Sequence, residues 1–141
     1  DSSPIRSVAD IDVPGRRIAG GKNDSITLYL ARNLKQATLV ETDNTPADAK
    51  RRLSAGEIDA FGANRQRLTN LLKEMLGYRM LSDNLFGVTQ TIIVPKGRPE
   101  VLAAINGFID EVRASGFLQN AITKSEVVGL EMAPAGATLQ R

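Results

Sequence analysis

Residues 17–42 read RIAGGKNDSITLYLARNLKQATLVET, and this stretch decides the fold. Arg17-Ile18-Ala19 reads as a strand that runs into Gly20-Gly21-Lys22-Asn23, a turn composition. Asp24 or Ser25 then caps a helix to about Leu34, with Ile26, Leu30 and Leu34 on one face at i, i+4 and i+8. Thr38–Thr42 is rich in β-branched residues and reads as the next strand. Two neighbouring strands joined by a crossover helix run parallel, so the stretch predicts a βαβ unit.

The same alternation extends outward. Thr45-Pro46 pairs an N-cap with proline at the first helical position, and that helix runs to Ser54 and is ended by Gly56. Ile58–Gly62 is a third strand. Asn64 caps a helix over 65–76 whose Leu68, Leu71, Leu72, Met75 and Leu76 make an apolar stripe, with Gly77 as its stop. Tyr78–Leu81 and Val88–Val94 read as further strands, parted by Ser82-Asp83-Asn84. Pro99 opens the longest helix, which carries Val101, Leu102, Ile105, Phe108, Ile109 and Val112 and ends near Gly116; Phe117–Thr123 is a short helix, Glu126–Met132 is strand-like, and 133–141 is a flexible tail. The predicted fold class is α/β, a three-layer, mostly parallel open sheet flanked by helices. Such sheets bind ligands at the carboxyl ends of their strands. The loops Gly20–Ser25 and Gly62–Arg65 are therefore the places to look for a site.

Composition narrows the chemistry those loops can offer. The chain has 141 residues, 42% apolar and 24% charged, with 18 Lys+Arg against 16 Asp+Glu and no Cys, His or Trp. Thiol redox pairs, zinc ribbons and histidine-based nucleophile systems are excluded. Carboxylate, Lys/Arg, hydroxyl and backbone chemistry remain. Four Phe and two Tyr leave little for base stacking, and a net charge of +2 gives no basic footprint for nucleic acid. Lys50-Arg51-Arg52 reads as a solvated helix face. Gly20-Gly21-Lys22 lacks the rest of a phosphate-binding loop, and Asp10 and Asp12 are too isolated to hold a metal. The longest apolar run, Ile92-Ile93-Val94, is stopped by Pro95, far short of the roughly 20 residues that span a bilayer.

Three longer stretches, in this order, resemble one family. SVADIDVPGRRIAGGKNDSITLYLARNL is similar to the opening of the second lobe of type 2 periplasmic solute-binding proteins, the amino-acid-binding branch known as solute-binding protein family 3. LSAGEIDAFGANRQRLTNLL resembles that lobe's later strand and helix, and IIVPKGRPEVLAAINGFIDEVRASGFLQNAI resembles the returning strand and the helix that follows it. Together they cover about residues 7–123. The resemblance implies residues 1–7 as a lead-in from the hinge, 8–94 as the second lobe, and 95–132 as helices and a strand that return to the first lobe, which lies before Asp1 in a longer protein. It implies a periplasmic receptor that closes on a small polar or amino-acid-like solute and hands it to the membrane permease of an ABC transporter, without catalysis or cofactor. The apolar stripe of the helix over 99–115 then packs back on the lobe or against a second copy of the chain.

The resemblance also points to site residues. Asn23-Asp24-Ser25 falls at the turn where the family receives a ligand carboxylate on helix N-terminal N–H groups and a hydroxyl; Ser25 matches the hydroxyl, whereas Asp24 replaces the usual Thr or Ser and equally serves as a plain N-cap. Asn64 stands where amino-acid-binding members carry an Asp for the ligand's ammonium. It supplies a carbonyl but no countercharge, and it too is a good N-cap. Arg65 and Arg67 lie in a first helical turn, where a cation opposes the macrodipole, which hints at an anionic ligand or partner. Gln90 is placed by the resemblance in a crossing strand near the hinge, and Asp59 is expected to be structural. Two further roles stay open on the same fold: the ligand-sensing domain of a regulator or sensor kinase, and a small-acid dehydratase.

Overall fold

A computed structural model describes residues 3–134 and divides the chain into two compact units that meet in sequence between Leu85 and Phe86. The first unit is α/β. Its elements are β1 (Arg17–Gly21), α1 (Ser25–Asn33), β2 (Thr38–Thr42), α2 (Pro46–Ser54), β3 (Ala60–Gly62) and α3 (Arg65–Leu72), after a 3-10 turn at Val8–Asp10. The strands form one parallel sheet in the order β2-β1-β3, with Ala19 opposite Val40 on one side and Phe61 on the other. The βαβ reading of residues 17–42 is thus the core of the fold.

β1 is central because its residues tolerate burial on both faces. Ile18 and Ala19 are buried, and the glycines that follow let helix α1 lie close. A methyl group on Gly62 of β3 would stand 2.7 Å from Ile26 Cγ2, and one on Gly20 would run into Thr27. That proximity lets the buried Thr27 hydroxyl donate to the Gly21 carbonyl at 2.7 Å, so the polar atom is satisfied inside the core. Leu30, Ile26, Ala49 and Ile58 complete the apolar interior.

Carboxylates fasten the rest. Asp59 takes Arg17 Nη2 at 2.9 Å, Nε at 3.1 Å and the Arg17 backbone N–H at 2.7 Å, locking the amino ends of β1 and β3. Asp59 is thereby structural, as its strand-end position suggested. Asp12 accepts the backbone N–H groups of Lys35, Gln36 and Ala37 at 2.8–3.0 Å and so fixes the passage from α1 to β2. On α2, Arg52 and Arg51 pair with Asp48, Arg51 pairs also with Glu57, and Lys50 with Glu74, so Lys50-Arg51-Arg52 forms an ion-paired face.

Several expected elements differ. α3 ends at Leu72 rather than running to Leu76: the bonds Glu74 N–H to Leu71 O and Met75 N–H to Leu72 O tighten the chain, Met75 folds inward, and Leu76 is 94% exposed ahead of Gly77 in the left-handed region. Tyr78–Leu81 is no strand. Arg79 donates to the Ser3 and Ile5 carbonyls and Arg65 to the Leu81 carbonyl, so side chains replace a ladder there. Val88–Val94 and Glu126–Met132 are irregular, the latter opened by Glu126 at φ 55°. β3 spans only Ala60–Gly62 of the predicted Ile58–Gly62. The mostly parallel sheet is therefore a purely parallel one of three strands among the described residues.

The second unit holds α4 (Pro99–Ala114) and α5 (Phe117–Ser125), joined through Ser115 and a left-handed Gly116. Val101, Ile105, Ile109 and Val112 are half-buried, while Leu102, Phe108 and Phe117 are exposed. Of the predicted tail, residues 135–141 lie outside the described residues. Among the described residues no helix is long and apolar enough to cross a membrane.

The Asp12 carboxyl is held below its ordinary value by the N–H groups of Ala37, Gln36 and Lys35, and Asp59 by its hydrogen bonds from Arg17. A carboxyl depressed in the folded state contributes stability that is complete above the unfolded value, near 3.9, and is lost as pH falls through the lower folded value. Circular dichroism along an acid titration should show stability falling only below about pH 4. Asp12→Asn should be less stable than the parent at neutral pH, and the gap should close in acid; a gap independent of pH would contradict the assignment.

Candidate functional site

Because the strands are parallel, the loops that follow them emerge at one edge, and each runs into a helix. Asp24 is the N-cap of α1: its Oδ1 accepts the Ile26 N–H at 3.0 Å, and its own N–H donates to the Gly21 carbonyl. Thr45 caps α2 by accepting the Asp48 N–H at 3.2 Å, while Asp43 accepts both the N–H and the hydroxyl of Thr45. Asn64 caps α3 by accepting the Arg67 N–H at 2.9 Å. Asn23 and Asn44 sit at φ 62° and 66°, the left-handed conformation that asparagine tolerates better than most residues and that turns the chain sharply from strand to helix.

Arg67 joins these loops. Its Nη1 lies 3.2 Å from Asp24 Oδ2 and 2.9 Å from Asn44 Oδ1, and its Nη2 donates to the Asn44 carbonyl at 3.0 Å. One guanidinium on the helix after β3 thus holds the loops after β1 and β2. The Asp24 carboxylate offsets the unfavourable placement of a cation in the first turn of α3. Gly21 makes room for the arrangement, since a methyl group there would collide with the Asn44 side chain.

The predicted residues divide into two groups. Asn23, Asp24, Ser25 and Asn64 all belong to this edge: Asn23 and Ser25 are exposed, the Ser25 hydroxyl donates to Asp24 at 3.3 Å, and both cap readings are realised. Arg65 starts at the same edge but turns away. Its Nε donates to Asn84 Oδ1 at 2.7 Å and its Nη groups to the Leu81, Ser82 and Asp83 carbonyls, so it organises residues 81–84. Gln90 is in the other unit, exposed, in the irregular Val88–Val94 segment. Thr45 is the cap that the sequence indicates, but the loop it shares with Asn44 is not among the two singled out for a site. As a parallel strand β2 must also deliver its loop to the carboxyl edge, so the Asp43–Pro46 sequence carried that signal.

The carboxylates at this edge are engaged. Asp24 serves Ile26, Ser25 and Arg67, and Asp43 serves Thr45. Exposed amides, a hydroxyl and an arginine are left to meet a ligand, a set suited to holding a polar molecule by hydrogen bonds. Compared with known proteins, the chain matches no family model, no curated protein and no solved structure.

Replacing Asn64 by Ala removes the cap of α3 and should cost about 1 kcal/mol in urea denaturation, with Asn64→Asp nearly neutral. An unchanged midpoint for Asn64→Ala would show that the cap bond carries no weight.

Proposed function

We propose that this chain is one lobe of a solute receptor serving an ABC-type importer, a periplasmic binder that takes a small polar or amino-acid-like molecule at the carboxyl edge of its parallel sheet. The observation that carries the reading is the Arg67 tie, which draws the loops after β1, β2 and β3 into one polar surface built from Asp24, Asn44, Asn64 and Arg67. Open parallel sheets bind ligands at this edge. The site is braced before any ligand arrives, which lowers the ordering cost of binding. Its carboxylates serve as caps and ion-pair partners, which favours recognition over acid–base chemistry.

In this reading the solute bridges two lobes, and closure about a hinge shifts an open–closed equilibrium that the membrane permease reads. One lobe supplies part of the contacts. The 141-residue chain alone should therefore bind single amino acids more weakly than 1 mM, which corresponds to about 4 kcal/mol. Isothermal titration calorimetry checks this, and native mass spectrometry of the protein purified from its source should release a small polar solute. Millimolar or tighter binding by the chain alone, or a source protein that carries no solute, would contradict the proposal.

A further inference from the structure

Helices α2 and α3 enclose a groove of about 540 Å³ lined by Thr45, Pro46, Lys50, Arg67, Leu71 and Glu74. That is within the roughly 300–1,000 Å³ of small-molecule sites. The groove opens beside the edge already described, and Arg67 belongs to both.

A guanidinium carries five N–H donors in one plane. Arg67 spends both Nη1 donors on Asp24 and Asn44 Oδ1, and one Nη2 donor on the Asn44 carbonyl. Among the described residues no acceptor takes the Nε–H or the second Nη2–H. They are neighbours on one edge of the plane and form the fork that receives both oxygens of a carboxylate. Asp24 and Asn44 hold the guanidinium from the other sides, so this fork is fixed in orientation. The remaining charges of the groove are matched: Lys50 Nζ lies 3.3 Å from Glu74 Oε2. An incoming ammonium would therefore compete with Lys50 for Glu74, whereas a carboxylate would have the two Arg67 donors that no described group takes. Pro46, Ala47 and Leu71 add an apolar wall for a short hydrocarbon body.

We propose that the α2–α3 groove binds the carboxylate of a small organic acid, its two oxygens on the Nε and Nη2 edge of Arg67 and its carbon chain against Pro46 and Leu71. This rests on the receptor reading and narrows its substrate class from polar solutes in general to organic acids that need no ammonium group.

The test is an NMR titration of the isotope-labelled 141-residue chain with succinate and, separately, with butane-1,4-diamine, following backbone amides and the arginine Nε–H signals. Succinate should move the Arg67 Nε–H together with the amides of Thr45, Ala47 and Leu71, and the diamine should not. Arg67→Lys, which keeps the charge and loses the fork, should weaken succinate binding on the order of tenfold. The Nε–H readout on the parent chain stands whether or not that variant folds. Succinate shifts at residues 23–25 and 64 with an unmoved Arg67 Nε–H would overturn the groove while leaving the receptor reading intact. No shift at any of these residues would overturn the groove while leaving the receptor reading to its own test on the protein from its source, and equal shifts from the diamine would overturn the preference for an acid.

Discussion

One guanidinium holds the carboxyl edge of this protein's sheet together. Three parallel strands deliver three loops to the same end of the sheet, but parallel strands alone do not fix how those loops meet. Arg67, from the helix after β3, reaches Asp24 in the loop after β1 and Asn44 in the loop after β2. Remove it and each loop keeps its own cap, with the Lys22 N–H to Thr42 carbonyl bond still joining the loop after β1 to the end of β2. With it, three locally stable turns become a single polar surface of defined shape.

The tie depends on small residues beneath it. Gly20 and Gly62 let α1 approach the sheet, and Gly21 leaves the volume that Asn44 fills. A larger residue at any of these positions would lift a helix or a loop by a few tenths of an ångström or more, and the hydrogen bonds of Arg67 would lengthen with it. At the opposite, amino end of the sheet, the Arg17–Asp59 pair fixes β1 to β3, and Asp12 fixes the start of β2. Stability at one end and recognition at the other are the usual division of labour in open α/β sheets. The proposed receptor function and its preference for an organic acid both draw on the recognising end.

The sequence showed most of the first unit because its signals are local. Glycine and asparagine turns, Thr45-Pro46, and the i, i+4 stripe of Ile26 and Leu30 each report on neighbouring residues, and the structure places β1, α1, β2 and α2 where they indicate. The strands foreseen at Tyr78–Leu81, with little but an aromatic to recommend it, and at the β-branched Val88–Val94 failed because composition describes a residue's preference, whereas a strand needs a partner edge. In the first region Arg65 donates to the Leu81 carbonyl, and the Arg79 side chain reaches out to the Ser3 and Ile5 carbonyls. The site was half legible. Asp24 and Asn64 were readable as caps, and Arg67 was noticed as a cation in the wrong place; its partners, Asp24 and Asn44, are separated from it by 43 and 23 residues, and no spacing rule links them. Arg65 and Arg67 look alike in sequence, yet one serves the 81–84 segment and the other the edge, a difference set by which carbonyls happen to lie within reach.

Amide hydrogen exchange compared between the parent chain and Arg67→Ala tests the central claim most directly. If Arg67 unites the loops, exchange should quicken together at Asp24 and Ile26, at Thr45 and Asp48, and at residue 67, while Ile18, Ala19 and Leu30 in the core stay protected. Faster exchange confined to the first turn of α3, with the loops after β1 and β2 unchanged, would contradict the account.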